Sequence, residues 1–157
     1  MLTVEELRSL LAYCPLTGKV FWRKNGKTAL NSSYTNGYQY GRIRGKMYMA
    51  HRVIWALWYG KWPNGDIDHI NHIKTDNNIA NLRDVTHLEN QRNKAMRHDN
   101  ISGFNGVSWS KDRQMWIATI RDGTKKINLG RYADFHEAVV ARMDAEKFYG
   151  YHPNHGL

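Results

Sequence analysis

The chain has 157 residues, a formal net charge of +9 at pH 7 and a sequence pI of about 9.7. This length allows one ordinary domain or two or three small ones, and a hydrophobic content of 41% is enough for packed cores. The single cysteine, Cys14, excludes an intrachain disulfide and a four-cysteine zinc module. Residues 1–14 lack a basic segment typical of signal peptides, and no apolar run is long enough to span a membrane. We therefore expect a soluble, cytoplasmic protein.

The positive charge is unevenly distributed along the chain. Residues 1–60 contain nine Lys and Arg against two acids, residues 61–100 contain six of each, and residues 101–157 contain eight against six. A basic protein of this kind favours a polyanionic partner, and phosphate contacts supply most of the non-specific affinity for DNA. We therefore predict a neutral central segment between basic flanks that bind nucleic acid.

The first sixty residues contain signals for two helices and several strands. Thr3 and Glu6 form a capping-box pattern, and a stripe of leucines predicts a helix from there to Pro15 and Gly18. Strands are predicted at 19–23 and in a hairpin of residues 38–44 and 47–49, followed by a helix over 51–59. Alternation places Tyr38, Tyr40, Arg42 and Arg44 on one face of the hairpin. That face is either a phosphate- and base-contacting surface or a half-buried hairpin with solvated arginines.

Residues 66–93 combine short elements with chemically useful side chains. A strand at 67–70, a polar loop at 71–78, a strand at 82–85 and a helix beginning at His87 are predicted within this stretch. Histidine has the unperturbed pKa best suited to deprotonating water, and carboxylate and amide oxygens suit Mg²⁺. The stretch therefore indicates phosphodiester hydrolysis, with His69 as a base and Asp68 and an asparagine as metal ligands.

This stretch resembles the HNH endonucleases, which carry a ββα-metal site. The matching segments are Asp68-His69-Ile70, Asn81-Leu82-Arg83 and Glu89-Asn90. The resemblance implies that His69 is the general base and that Asn81 orients it and shapes the loop. It also implies that Asp68 and Asn90 hold one Mg²⁺ or Mn²⁺ per active site. Asn90 stands where many relatives have histidine, and His72 stands where many have glycine.

A zinc site is the alternative metal interpretation of the same stretch. Its ligands would be His69, His72 and His87. Structural zinc more commonly uses cysteines or a His-x₃₋₅-His pair, and neither pattern occurs here. Participation of His72 or His87 at the site stays open. His51 is interpreted as structural, whereas Arg52 is expected to reach a phosphate.

The C-terminal third predicts a small separate domain after a polar linker. Lys94 and Arg97 in the linker could follow the DNA backbone. Strands are predicted at 107–110, 116–121 and 126–129, with a hairpin at Asp122-Gly123 and a helix over 133–149.

This segment resembles the plant ethylene-response-factor DNA-binding domain through Gly106-Val107, Trp116-x-Ala118-x-Ile120 and Leu129-Gly130-x-Tyr132. The resemblance implies a sheet that enters the DNA major groove. Its reading face would comprise Ser108, Ser110, Thr119, Arg121, Lys126 and Asn128.

These patterns together predict an α+β protein. We expect a basic helix and β segment over residues 1–50, an HNH core over 51–93, a linker over 94–104, a three-stranded sheet plus helix over 105–150 and a tail over 151–157. The HNH resemblance implies metal-dependent cleavage of double-stranded DNA by a phage homing-type nuclease, which we expect to nick as a monomer. The alternatives are a non-catalytic DNA-binding regulator on the same scaffold and, less favoured, a protein that binds or cleaves RNA.

Overall fold

The computed structural model describes residues 1–92, 96 and 99–152, and the chain divides into two compact units, Met1–Thr86 and His87–Leu157. The architecture combines helices with small antiparallel sheets, as expected for an α+β protein. Lys94 and Arg97 lie outside the described residues. No helix in the described part of the chain is long and apolar enough to cross a membrane.

The first unit contains two helices and three small antiparallel sheets. The helices are α1 (Val4–Leu10) and α2 (Ala50–Tyr59). The first sheet has the strands β1 (Leu11–Cys14), β2 (Lys19–Trp22) and β3 (Thr28–Ala29). The second has β4 (Ser32–Ser33), β5 (Gln39–Ile43) and β6 (Lys46–Met49). The third is the two-stranded pair β7 (Asp66–His69) and β8 (Leu82–Val85).

Helix α1 begins as the sequence predicts but ends earlier. The Thr3 hydroxyl accepts a hydrogen bond from the Glu6 amide at 3.2 Å, and the Glu6 carboxylate accepts one from the Thr3 amide at 2.9 Å. The helix was expected to continue to Pro15, yet Leu11–Cys14 is extended and pairs with β2. Pairing with β2 satisfies the backbone hydrogen-bonding groups of these residues, and Leu11 is buried in the extended conformation.

One hydrophobic core joins the N-terminal segment to the strands of the central motif. Leu7 and Leu11 pack in the same cluster as Val53 and Ile54 of α2, and this cluster extends to Ile67 of β7 and Leu82 of β8. Residues 1–50, which were expected to form a segment of their own, therefore contribute to the unit that carries the central motif.

The second unit is a three-stranded antiparallel sheet with helices. It contains α3 (His87–Arg92), β9 (Val107–Ser110), β10 (Met115–Asp122), β11 (Lys125–Tyr132) and α4 (Phe135–Phe148), and the strand order is β11-β10-β9. The carboxylate of Asp134 caps α4 by accepting from the amides of His136 and Glu137. Trp116 belongs to the core beneath α4, where its ring lies 4.7 Å from that of Phe135.

Candidate active site and nucleic-acid surfaces

The β7–β8 pair places Asp68 beside Arg83. The two residues are partners in the strand register, and the Nε and Nη2 atoms of Arg83 donate to Oδ2 of Asp68 at 2.8 and 2.6 Å. The Asp68 side chain is 9% exposed, so water screens this ion pair only partly. Arg83 therefore fixes the carboxylate and offsets part of the cost of burying its charge.

The turn before β7 is held by contacts from β8 and α2. The Asp84 carboxylate accepts from the amides of Asn64 and Gly65, each at 2.8 Å. A Cβ atom at Gly65 would lie 2.1 Å from the Val85 carbonyl oxygen, so only glycine fits here. Arg52, which was expected at a phosphate, donates from Nη1 to the Gly65 carbonyl at 2.8 Å. In the structure its guanidinium thus supports the turn that leads into β7.

His69 is buried and its ring is fixed by an asparagine from the following loop. His69 is only 3% exposed, and its Nε2 atom lies 3.0 Å from Oδ1 of Asn77. Because an amide oxygen can only accept, this contact places the ring proton on Nε2. Within the described residues, Nδ1 is buried and has no hydrogen-bond partner. The neutral imidazole therefore carries its lone pair on Nδ1.

Two further rings pack around His69. The ring centroid of His51 lies 5.4 Å from that of His69, and the Tyr38 ring lies 5.9 Å from it. Burial, followed by the charges of His69 and Arg52, lowers the pKa of His51 to about 4. Burial also lowers the pKa of His69, against the opposing effects of the Asn77 hydrogen bond and the Asp68 charge. Both imidazoles are consequently neutral near pH 7, as a general base must be.

Asn81 holds the loop between the two strands. Its Oδ1 accepts from the Asn71 amide at 3.0 Å, and its Nδ2 donates to Asn71 Oδ1 at 2.9 Å and to the Asp76 carbonyl at 2.8 Å. Asn81 was expected to orient His69 and shape the loop; the hydrogen bond described for the His69 ring comes from Asn77. Sequence reasoning missed Asn77 because it is one of several asparagines in a single loop, and only the tertiary contact distinguishes it.

The loop after His69 contains a residue in an uncommon conformation. His72 has φ of +61°, in the left-handed region, and its amide donates to the His69 carbonyl at 2.9 Å. This conformation favours glycine, which agrees with the expectation that many relatives have glycine at this position.

Asn90 lies in the second unit, half-buried on α3. The helix is joined to its own unit through Arg92, whose guanidinium donates to the Tyr149 carbonyl at 2.7 Å and to the Asp122 carboxylate at 2.6 Å. Asp68 and Asn90, the two predicted metal ligands, thus belong to different compact units. Among the residues that the structure describes, no group of three or more His, Cys, Asp or Glu could hold a metal ion.

The N-terminal hairpin presents only part of the basic face that its alternation predicts. Arg42 is exposed on β5, two residues from Tyr40, whose ring stacks on that of Tyr34 at 4.0 Å. Arg44 lies in the β5–β6 turn with φ of +48° and forms a 2.6 Å ion pair with Glu6. Arg44 is therefore placed at the turn beside α1, off the strand that carries Arg42.

The sheet of the second unit has one face packed against α4 and one face outside the core. Ala118 and Ile120 of β10 are buried, so the alternating residues Ile117, Thr119 and Arg121 lie on the other face. Strand pairing then assigns partners to that outer face: Ser108 beside Ile117, Asn128 beside Thr119, and Lys126 beside Arg121. Ser110 follows Ser108 by two residues, so all six predicted residues share the outer face.

A bulge adds one cation that simple alternation misses. The register of β10 with β11 shifts between Ala118 and Thr119, and Arg131 becomes the partner of Ile117. A bulge places two residues of one strand opposite one of its partner, which reverses the alternation beyond it. Arg131 therefore joins Arg121 and Lys126 on the outer face.

Comparisons with known proteins identify the family of this chain. The family model for HNH endonuclease matches residues 48–92. Protein 3.8 of Escherichia phage T7 is 37% identical over 91 residues, which cover 57% of this chain and 74% of that protein. The solved structure described as DNA binding and cleavage by the HNH homing endonuclease I-HmuI superposes with a TM-score of 0.47 at 20% identity, covering 98% of this chain and 93% of that one. The chain therefore belongs to the same family as Protein 3.8, and residues 48–92 form an HNH endonuclease domain.

Proposed function

We propose that this protein is a divalent-metal-dependent endonuclease that hydrolyses phosphodiester bonds in double-stranded DNA. The observation that carries the proposal is the buried His69 ring, whose Nε2 contacts Asn77 and whose Nδ1 has no hydrogen-bond partner in the described part of the chain. The HNH endonuclease match over residues 48–92 supports the same reaction class. We further propose a homing-type enzyme of phage origin. It would nick DNA as a monomer, because the described part of the chain contains one such site.

The proposed reaction begins with proton removal from water. Nδ1 of His69 accepts the proton, the water oxygen bonds to phosphorus, the bond from phosphorus to the 3′ oxygen breaks, and the departing 3′ oxygen takes a proton from solvent water. Asn77 keeps the ring proton on Nε2, and Asn81 holds the loop that carries Asn77. The lowered pKa of His69 keeps the ring neutral before the proton arrives. A general base of this kind contributes about 10²–10⁴-fold to a rate.

Asp68 and Asn90 would hold one Mg²⁺ or Mn²⁺. A carboxylate and an amide carbonyl are hard oxygen donors, which fit ions that keep several waters and use few protein ligands. Arg83, which donates to Oδ2 of Asp68, would share the carboxylate with the ion. When bound, the ion would stabilise negative charge on the phosphate and on the departing oxygen.

The outer face of the C-terminal sheet would bind duplex DNA. The six predicted residues share this face with Arg131. The three cations on it, Arg121, Lys126 and Arg131, suit phosphate and base-edge contacts. The likeness of this segment to the ethylene-response-factor domain supports a sheet that enters the major groove. Arg42 on the N-terminal hairpin, Arg52 near the turn, and Lys94 and Arg97 beyond α3 are proposed as additional phosphate contacts, whereas Arg44 would first have to leave Glu6.

Metal dependence tests this function directly. Purified protein is incubated with supercoiled plasmid and Mg²⁺, Mn²⁺ or EDTA, alongside Asp68→Asn and Asn90→Ala. We expect nicked plasmid with either ion, none with EDTA, and strongly reduced nicking by both variants. Plasmid retardation without cleavage, on DNA large enough to contain the target, would contradict the enzyme and favour a DNA-binding regulator.

A further inference from the structure

Three contacts join the N-terminal hairpin and the turn before it to the loop that follows His69. The Lys74 ammonium group donates to the Asn36 carbonyl at 3.0 Å and lies 5.0 Å from the centre of the Tyr38 ring. Nδ2 of Asn77 donates to Oε1 of Gln39 at 2.8 Å. Asn77 is therefore held on two sides, by His69 and by a residue 38 positions earlier in the chain.

The contact with Gln39 decides which way the Asn77 amide faces. Asn77 is only 2% exposed, so a reversed amide would have to find its partners inside the protein. Reversal would set the Asn77 oxygen against the Gln39 oxygen, and two acceptors repel. With Gln39 as acceptor, the Asn77 oxygen must face His69, and the ring proton must be on Nε2.

The side-chain amides of Gln39 and Asn77 have a second arrangement in which every donor faces an acceptor. If Gln39 donated instead, the Asn77 amide would reverse, its Nδ2 would donate to Nε2 of His69, and the ring proton would move to Nδ1. A ring with its proton on Nδ1 has no lone pair there to accept a proton from water. The acceptor role of Gln39 thus separates a competent His69 tautomer from an incompetent one.

We infer that Gln39 is a positioning residue that sets the His69 tautomer through Asn77. This inference rests on the proposed function for its catalytic meaning, because the tautomer matters when His69 acts as a base. It assigns a role in the active site to strand β5, which precedes the residues 48–92 matched by the HNH family model. Groups that orient a catalytic or metal-binding imidazole typically change activity by about 10–100-fold when removed.

The test uses three substitutions at Gln39 that differ in hydrogen-bonding ability. Gln39→Glu can only accept in its ionised form, Gln39→Met does neither, and Gln39→Lys can only donate. Lys74→Met is the control, because it removes the other hairpin contact and leaves the two amides in place. The tautomer is measured in the full-length protein from ¹⁵N shifts of the imidazole nitrogens, with the His69 signals identified by their loss in His69→Ala.

We expect the Nε2-protonated tautomer in wild type, Gln39→Glu and Lys74→Met, a mixture in Gln39→Met, and the Nδ1-protonated tautomer in Gln39→Lys. Single-turnover cleavage should fall in Gln39→Met in proportion to the lost fraction of the Nε2-protonated tautomer, and by about 10–100-fold in Gln39→Lys. Gln39→Glu should keep most of the wild-type rate at saturating DNA, where weaker binding from its added negative charge has no effect. An unchanged His69 tautomer in both Gln39→Met and Gln39→Lys would overturn the inference.

The two readouts separate this inference from the proposed function. A wild-type protein that does not cleave DNA would contradict the nuclease, while the imidazole shifts would still show whether Gln39 sets the tautomer. Conversely, an active nuclease whose rate and His69 tautomer do not respond to Gln39→Met and Gln39→Lys would retain the proposed function and exclude this role for Gln39.

Discussion

Oδ1 of Asn77 lies 3.0 Å from Nε2 of His69, and this hydrogen bond fixes the orientation of the buried imidazole. We expect Asn77→Leu to slow single-turnover cleavage by about 10–100-fold, because the ring loses the partner that holds its proton on Nε2. Affinity for DNA should not change, since Asn77 is buried. Cleavage rate and dissociation constant are measured on the same oligonucleotide duplex.

Asn78 provides the matched control for Asn77. Its side chain caps the short 3-10 turn at Ile79–Asn81, with Oδ1 accepting from the Ala80 amide at 3.0 Å, and it makes no described contact with His69. Asn78→Ala should lower the free energy of unfolding by about 0.5–2 kcal/mol and leave the cleavage rate unchanged. Equal rate losses in Asn77→Leu and Asn78→Ala would show that loop stability alone accounts for the effect.

The buried His51 should make the stability of the first unit depend on pH. Its pKa is about 4 in the folded protein against an ordinary value of 6.5, so the unfolded chain binds more protons between these values. Above pH 6.5 His51 contributes no pH dependence. As the pH falls from 6.5 to 4, protonation of His51 in the unfolded chain should lower the free energy of unfolding by about 3 kcal/mol.

Urea unfolding of wild type and His51→Phe between pH 4 and 7 measures this contribution. Phenylalanine keeps a ring beside His69 and cannot be protonated, so the variant should lose less stability on acidification than wild type. Parallel pH profiles for the two proteins would show that burial does not depress the pKa of His51.

The left-handed conformation of His72 predicts different outcomes for two small substitutions. His72→Gly removes the Cβ that disfavours φ of +61°, whereas His72→Ala retains it. We expect the glycine variant to be more stable than the alanine variant by about 1 kcal/mol, as measured by thermal and urea unfolding. Greater stability of the alanine variant would indicate that the loop does not hold this conformation. The cleavage rate of His72→Gly then reports whether the imidazole takes part in the reaction.

Adjacent lysines on β11 separate the two faces of the C-terminal sheet. Lys126 pairs with Arg121 on the outer face, whereas Lys125 pairs with Asp122, whose position faces the other way. Lys126→Ala and Arg131→Ala should each weaken DNA binding and reduce the slope of log K against log salt by about 1. Lys125→Ala removes the same charge and should leave the slope near its wild-type value. Equal effects of Lys125→Ala and Lys126→Ala would mean that net charge, not the outer face, determines binding.

Local patterns predicted most elements of the fold, and tertiary contacts decided the rest. The Thr3–Glu6 capping box and the period-two strands of the C-terminal sheet depend on neighbouring residues, which the sequence displays directly. Strand β1 was missed because leucines at 7, 10 and 11 fit a helical stripe equally well, and only pairing with β2 favours the extended form. The bulge that moves Arg131 to the outer face leaves no equally clear signal in the chain.

The candidate site shows the same division. Asp68, His69 and Asn81 were identified from their spacing and their resemblance to a known motif. Asn77 and Gln39 were not, because their importance lies in hydrogen bonds across eight and thirty-eight residues of sequence. Short polar side chains in loops have many possible partners. The sequence therefore does not show which asparagine of the loop is buried beside His69.

The most direct test of His69 as the catalytic base compares wild type with His69→Ala in single-turnover cleavage of a DNA duplex that both proteins bind, with Mg²⁺ and at saturating protein. Removal of the base should lower the rate by about 10²–10⁴-fold while the dissociation constant for DNA stays the same. A His69→Ala protein that cleaves as fast as wild type would show that His69 is not the catalytic base.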